Sequence, residues 1–388
     1  MNFRFVQKSL FSTSSRQTNA LRALVYHKNG NPAEVLRAQT FEPLGKPGPS
    51  QVRVKVLLSP INPADINVVE GKYPEAPILR SDLVPEGGAN SSPGYDREKP
   101  VFVGGNEAVG VVTDAGTGVQ DFKAGDRVIF DKSQLGAWAT YQNLEAAQLA
   151  KVDDDISDVA AATMRINPPS ALIMLRSFTA LKPGDWIIQN GANSAVGQAV
   201  IQVAAALGVN TINLVRNRPD INELMIRLHA LGGTRVLTYN ELADKAMKQE
   251  VKKWTQGKPI KLGLNCVGGK DTTIMTGYLG KDAHLVSYGA MSKSPISLPT
   301  SYFIFKNLTC HGHWQSRWYN DHSKADRLGV YAEIMDLIRQ KKLKVPEHEI
   351  LELKGSDSEV TRTLAHAMQK LSAGSHGKKI LLKWASDS

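Results

Sequence analysis

Asp185-Trp-Ile-Ile-Gln-Asn-Gly-Ala-Asn-Ser-Ala-Val-Gly197 decides the fold of this chain, together with the later Asn213-Leu-Val-Arg-Asn-Arg218. The first stretch reads as an apolar strand that runs into a turn of small residues and then a helix. The second reads as a following strand that ends in two arginines. Strand, small-residue turn, helix and strand form the layout of a dinucleotide site, where the N–H groups at the helix start hold a pyrophosphate. Ala195 stands where such a turn often has glycine. Taken alone, the turn is therefore also that of an ordinary strand–helix junction. Arg216 lies 19 residues after Gly197, close to the ~20-residue spacing of the residue that reads the ribose. A carboxylate there would repel a 2′-phosphate, whereas guanidinium groups pair with it bidentately. Strand ends on protein surfaces often carry arginines, but turn and arginines together select NADPH.

Outward from this unit the chain alternates. Short apolar runs recur near Trp186, Thr211, Arg235, Leu262 and His284, at intervals of 22 to 27 residues. Helical stretches such as Asn222–Leu231 and Glu241–Trp254 fill the gaps, which predicts repeated βα units in a doubly wound parallel sheet. The helix after Ser194 is apolar on almost every side, with Ser194, Gln198 and Gln202 as one narrow polar stripe. It is expected to be buried beside the sheet.

The N-terminal half has another rhythm. Short strands are expected at Ala23–His27, Val52–Leu58, Val109–Ala115, Arg127–Phe130 and Thr140–Gln142, punctuated by Gly and Pro, as in a β-rich, barrel-like domain. Leu79 to Pro100, rich in Gly, Pro and Ser, reads as a mobile insertion near the active site. After Phe305 a helix (Lys324–Gln340), a strand (Ile350–Leu353), a helix (Glu359–Leu371) and a strand (Lys379–Lys383) follow. This tail is too short for a domain and is expected to return to the first one.

Composition narrows the class. The 388 residues, 42% apolar and 22% charged, describe a globular protein large enough for two domains. No run reaches the ~18–20 apolar residues of a membrane span. Cys266 and Cys310 cannot build a disulfide framework, and no Cys-x-x-Cys pair is present for a structural zinc. Four of the +10 net charges belong to Arg4, Lys8, Arg16 and Arg22, in a segment with clustered serines and no acid before Glu34. That composition reads as a mitochondrial presequence over residues 1–22 and a matrix address. The remaining surplus forms no basic block with interleaved aromatics, so nucleic-acid binding is not indicated.

Two segments bear on chemistry. Asn62-Pro-Ala-Asp-Ile-Asn-Val-Val-Glu-Gly-Lys-Tyr-Pro74 places Tyr73 on a constrained loop. A tyrosine of pKa near ~10 is protonated at neutral pH and can donate to a developing enolate; a loop tyrosine is also compatible with simple packing. Gly104-Gly-Asn-Glu-Ala-Val-Gly110 carries Asn106 where zinc alcohol dehydrogenases have a histidine ligand, and no cysteine precedes Cys266. A catalytic zinc is therefore not expected. His311 and His313, two apart on a strand, lack further ligands, so no metal is assigned.

With these residues in view, the chain resembles the zinc-free, quinone-oxidoreductase-like branch of the medium-chain dehydrogenase/reductase superfamily. Within it, the likeness is to the mitochondrial trans-2-enoyl thioester reductases. The motifs are Ile61-Asn-Pro-Ala-Asp-Ile-Asn67, Gly105-Asn-Glu107, Ile188-Gln-Asn190, Leu264-Asn-Cys-Val-Gly-Gly-Lys270 and Pro299-Thr-Ser301. The resemblance implies an α/β protein with a GroES-like β-rich catalytic domain at 23–160, completed by 317–388, and a Rossmann doubly wound domain at 161–316. It implies NADPH in the cleft, a homodimer, and a catalytic role for Tyr73. It carries cofactor contacts onto Asn167, onto Asn193, Ser194, Ala195 and Val196, and onto Arg216, Asn217 and Arg218. Further contacts fall on Tyr288, Gly289, Ala290 and Met291, on His313, Trp314 and Gln315, and on Lys378. Ala290, Asn217 and His313 depart from the usual Gly, Asp and aromatic residue.

The expected reaction is NADPH-dependent reduction of a trans-2-enoyl thioester, carried by acyl carrier protein or CoA, in mitochondrial type II fatty acid synthesis. The alternatives are an NADPH:quinone oxidoreductase of the same superfamily, in which a Gly-x-Tyr-Pro segment also occurs, and a non-catalytic NADPH-binding regulatory protein.

Overall fold

The computed structural model describes residues 20–83, 100–372 and 378–385. Almost all of the expected presequence and most of the Leu79–Pro100 insertion lie outside the described residues. Among the described residues no helix is long and apolar enough to cross a membrane.

Six parallel strands form one sheet, in the spatial order Arg235–Thr238, Asn210–Val215, Trp186–Gln189, Ile260–Asn265, Leu279–Ser287 and Thr309–Gly312. Numbered along the chain from Trp186–Gln189, this is the order 3-2-1-4-5-6, so the strand order reverses beside Trp186–Gln189. Ligands of open α/β sheets bind at that reversal, outside the carboxyl ends of the strands. The helix Ala195–Ala206 follows at once, with Ala199, Val200, Ile201 and Val203 buried, and it packs against the helix Asn167–Ser177.

The β-rich part is built around the strand Gln51–Pro60. Val52, Val54 and Val56 point inward while Arg53 and Lys55 point outward, the period of two expected of a half-buried strand. This strand pairs with Val109–Ala115, Tyr141–Glu145 and Lys379–Trp384, all antiparallel. The last of these pairs in parallel with His348–Leu353. A smaller sheet joins Arg37–Phe41, Leu21–Tyr26, Val101–Val103 and Leu79–Arg80.

One core runs across both parts, containing Leu58, Val109 and Ile129 from the β-rich sheet and Ile187, Leu262 and Val286 from the parallel sheet. Shared burial of this kind gives the two units a common frame, so side chains from both meet at the crevice.

One expected helix is divided. Glu241–Trp254 forms two helices, Tyr239–Ala243 and Met247–Trp254. Thr238 and Glu241 close a capping box on the first, and Asp244 ends it with an extended backbone (φ −65°, ψ 132°). The Asp244 carboxylate then accepts from Ala246 N at 2.9 Å and opens the second helix, the local competition with helix for which Asp is known.

Candidate active site

The crevice at the strand reversal is shaped by buried amides. Asn190 accepts from Cys266 N at 2.8 Å and donates to Asn265 Oδ1 at 2.8 Å and Thr272 Oγ1 at 3.0 Å, tying the first strand to the fourth. On the other side Gln189 Nε2 donates to Gly197 O at 2.9 Å and to Asn213 Oδ1 at 2.8 Å. The chain turns at Gly191 with φ +59°, where a Cβ would stand 2.4 Å from Cys266 Sγ. At Gly197 a Cβ would meet the Ala192 backbone at 2.7 Å. Only glycine lets the helix start this close to the turn.

Ser194 caps that helix by accepting from Gly197 N at 3.1 Å. Ala195 and Val196 are then the first two helical residues, whose N–H groups have no carbonyl four residues back and face the anion position. Asn193 fixes the turn through its carbonyl, which accepts from Gln198 Nε2 at 2.8 Å. The Tyr288 hydroxyl is buried, and burial pushes its pKa well up. Beyond it, Tyr288 N bonds Asn265 O and Met291 N bonds Cys266 O. Gly289 and Ala290 are thereby held at the carboxyl end of the fourth strand. Met291 itself is 64% exposed.

Arg216 and Asn217 are exposed just past the strand Asn210–Val215. Arg218 is half-exposed and pairs with Asp220 at 2.5 Å. An open helix start beside two strand-end guanidinium groups fits a pyrophosphate and a 2′-phosphate, so the crevice fits NADPH. Arg216→Ala is expected to raise the Kd for NADPH by about 10- to 100-fold, given ~1.5–3 kcal/mol for a hydrogen bond to a charged group. NADH binding, followed by the same fluorescence titration, is expected to stay unchanged.

Tyr73 comes from the β-rich part. Asn62 and Asp65 form a capping box at the start of the helix Pro63–Val69. Gly71 (φ +72°) then turns the chain, and Lys72 N bonds Asn67 O at 2.8 Å. The Tyr73 oxygen accepts from Trp314 Nε1 at 2.8 Å, with the rings edge to face at 6.1 Å. Trp314 follows Thr309–Gly312, so the contact sits at the carboxyl edge of the parallel sheet. Burial raises the Tyr73 pKa, opposed by Trp314 and by the neighbouring Ser316 hydroxyl.

Behind Tyr73 lies a buried polar network with charges of both signs. Asp65 accepts from Asn62 N at 2.7 Å and from Asn106 Nδ2 at 2.8 Å. Burial nevertheless pushes its pKa up to about 6. Glu107, also raised by burial, accepts from Arg165 N, Ile166 N and Asn62 Nδ2 at 2.9, 3.0 and 3.0 Å. Asn62 Oδ1 receives the Lys379 ammonium and, at 3.4 Å, Asn167 Nδ2. Asn106 completes the set by accepting from Gln134 N at 2.7 Å. The position compared above with a zinc ligand is thus a hydrogen-bond junction. Among the described residues no group of three or more His, Cys, Asp or Glu could hold a metal ion.

Lys379, not Lys378, enters this network. Lys378 is exposed, whereas Lys379 shares the strand face of Leu381, which belongs to the core between the two sheets. Lys378 sits in the bend before the strand Lys379–Trp384, outside its pleat. His313 and Gln315 line the same side: His313 Nε2 and Ser170 Oγ both bond Gln315 Oε1, at 3.1 and 3.0 Å. Burial lowers the His313 pKa; with Nε2 facing a carbonyl oxygen, that nitrogen carries the hydrogen. Asp65, Glu107, Lys379 and Ser316 are the site residues that sequence reasoning missed. The Asn62-x-x-Asp65 capping pattern was the one local signal.

Two protein families match the chain: the alcohol dehydrogenase GroES-like domain over residues 48–154 and the zinc-binding dehydrogenase family over residues 195–329. With the sheet order, they define the class as a two-domain medium-chain dehydrogenase/reductase. Among curated proteins, the mitochondrial enoyl-[acyl-carrier-protein] reductase of Schizosaccharomyces pombe is 39% identical over 377 residues, covering 96% of each chain. Its Homo sapiens counterpart is 41% identical over 334 residues, covering 86% of this chain and 83% of that one. Among solved structures, the Etr1p complex with NADP and crotonyl-CoA superposes with a TM-score of 0.84 at 30% identity, covering 94% of this chain and 99% of that one. The chain belongs to the mitochondrial enoyl-[acyl-carrier-protein] reductase family.

Proposed function

We propose that this protein reduces trans-2-enoyl thioesters to saturated acyl thioesters with NADPH, in the mitochondrial matrix. The observation that carries the reading is the Tyr73 hydroxyl, held by Trp314 at the carboxyl edge of a sheet whose strand reversal fits NADPH. NADPH, when bound, supplies the hydride for the β-carbon. The chain's own residues do the rest. Ala195 and Val196 offer N–H groups to the pyrophosphate, Arg216 and Arg218 hold the 2′-phosphate, and Asn167 and Lys379 border the cleft from the buried network. As charge develops on the thioester oxygen, Tyr73 donates to it and is the source of the proton that reaches the α-carbon. Its raised pKa keeps the hydroxyl protonated through neutral pH.

The same reading divides the chain into a catalytic part, residues 23–160 with 317–388, and a cofactor part, residues 161–316. The test is NADPH oxidation by the purified protein with crotonyl-CoA, with an acyl-carrier-protein thioester, and with a quinone. Turnover of both thioesters is expected; activity on quinone alone would overturn the assignment.

A homodimer belongs to this proposal. Among the described residues Thr309–Gly312 is an edge strand paired on one side, and beside it Phe303, Ile304 and Phe305 are 43%, 66% and 76% exposed. Unpaired edges and clustered exposed apolar residues are surfaces that a second copy covers. Combining Ile304→Lys with Phe305→Asp is expected to shift the mass by light scattering from dimer to monomer. A monomeric wild type would remove the dimer from the proposal.

A further inference from the structure

Arg165 is 2% exposed, yet its guanidinium uses few of its hydrogens. Nη1 donates to Asn106 O at 3.3 Å and Nη2 to Ser133 Oγ at 3.2 Å. Nε is buried and has no partner among the described residues. A guanidinium carries five N–H donors, so much of its capacity remains. The carboxylates whose charge reaches it, Glu107 and Asp131, give their oxygens to other donors. Glu107 accepts from backbone N–H groups and Asn62, and Asp131 from Arg327 and Tyr331 at 2.9 and 2.7 Å. Arg165 is also fixed in place. Its guanidinium carbon stacks 4.9 Å from the centre of the Tyr319 ring, and the Tyr319 hydroxyl donates to Arg165 O.

A cavity of about 220 Å³ lies beside it, with Arg165, Arg327, Lys132 and Asp131 as its charged lining residues. Arg327 and Asp131 pair with each other at 2.9 Å, and Arg327 Nη1 donates to Tyr319 O and His322 O. The surplus is therefore Arg165 and Lys132, the latter exposed. Ser133 and Ser316 line the same space with their Oγ atoms 3.1 Å apart. One of their two hydrogens bridges the pair and the other remains to donate. Water alone suits such polar walls, but it leaves a buried positive charge without a bonded counter-ion, which is costly. An oxyanion removes that cost. A planar carboxylate matches only the guanidinium fork, whereas a tetrahedral phosphate offers oxygens to donors on several walls. The volume is below the ~300–1,000 Å³ of sites for larger ligands, so the ligand is small.

We propose that this cavity is a phosphate site, in which Arg165, Lys132 and the Ser133–Ser316 pair bind inorganic phosphate or a small phosphomonoester. The site is separate from Arg216 and Arg218, which follow the second strand of the parallel sheet, and does not depend on the reaction assigned to the protein. Lys132 and Ser133 follow the strand Arg127–Phe130, whereas Ser316 belongs to the helix Gln315–Asp321. A bound phosphate joins the two segments, and an ion that binds only the folded chain raises its stability.

The test is a calorimetric titration of the full chain with inorganic phosphate at fixed ionic strength, without and with saturating NADPH. One equivalent is expected to bind with a Kd of about 1 mM or tighter, equally in both states. Arg165→Gln is expected to raise that Kd by about tenfold or more, as for loss of hydrogen bonds to a charged group. The double variant Lys132→Ala with Ser133→Ala leaves Arg165 and its Tyr319 stack in place and is expected to weaken binding by about tenfold. It keeps the test decisive if Arg165→Gln does not fold. A parallel titration with glycerol 3-phosphate separates the two sources: tighter binding of the ester assigns the site to a phosphomonoester, and weaker binding assigns it to the free ion. No saturable binding of either, or a Kd unchanged in the variants, would overturn the site. So would phosphate displaced by NADPH, which places the ion at Arg216 and Arg218 instead.

Discussion

Tyr73→Phe is expected to lower kcat for enoyl thioester reduction by about 10²–10³, the usual loss when one preorganised donor to a developing oxyanion is removed. That corresponds to ~3–4 kcal/mol of transition-state stabilisation. The Kd for NADPH is expected to stay within about twofold, because the residues proposed to hold its phosphates follow the first and second strands of the parallel sheet, whereas Tyr73 meets Trp314 beyond the sixth. Phe keeps the ring against Trp314, whose edge-to-face contact at 6.1 Å does not need the hydroxyl. The loss is therefore chemical and not a collapse of the loop. Steady-state turnover with crotonyl-CoA and a cofactor fluorescence titration check the two halves. Near-normal turnover would remove Tyr73 from the reaction.

Asp65→Ala is expected to destabilise the protein by about 2–5 kcal/mol, because two buried donors each lose their acceptor at about 1–3 kcal/mol. The carboxylate is 1% exposed and accepts from Asn62 N and Asn106 Nδ2. Its removal leaves two donors without acceptors and the Lys379 ammonium with one carboxylate fewer. The sign of the pH dependence follows from burial. Because the folded pKa, about 6, lies above the ordinary 3.8, the folded protein holds a proton that the unfolded chain has released. That contribution is fully present below about pH 4 and is lost as pH rises through about 6. Urea unfolding is therefore expected to show a destabilisation larger at pH 5 than at pH 8, by about 1 kcal/mol. A flat difference across that range, or a loss under about 1 kcal/mol at either pH, would show that the network does not hold the fold.

The strand, turn and helix proposed to hold the cofactor were legible as structure because their determinants are close in sequence. Strand, turn, cap and second-strand arginines all fall between Asp185 and Arg218, and backbone geometry over so short a span follows from glycine, small residues and a serine cap. The strands Val109–Ala115 and Arg127–Phe130 have the expected bounds. The division of Glu241–Trp254 was not legible, since its apolar spacing is helical throughout. It takes the side chain of Asp244, bonded to Ala246 N, to interrupt it.

The catalytic half depends on contacts that no local pattern encodes. Tyr73 was a plausible donor by type, but its partner Trp314 lies 241 positions away. Lys379, the lysine at Asn62, lies 317 positions from it, and it reaches Asn62 from the first position of the final strand, on the face of Leu381.

Sequence alone determined the class of this protein, an α/β dehydrogenase with a small-residue turn and strand-end arginines at residues 185–218 and a tyrosine on a constrained loop. Those features rest on periodicity, caps and spacing, which act over a few residues. Tertiary structure decided which donors the buried Asp65 and Glu107 carboxylates meet, and that Trp314 stands against Tyr73. Buried charge is tolerated only when an opposite charge or a donor is within a few ångströms. In this chain those partners come from segments that meet only when the first β-strands, the parallel sheet and the final strand pack together.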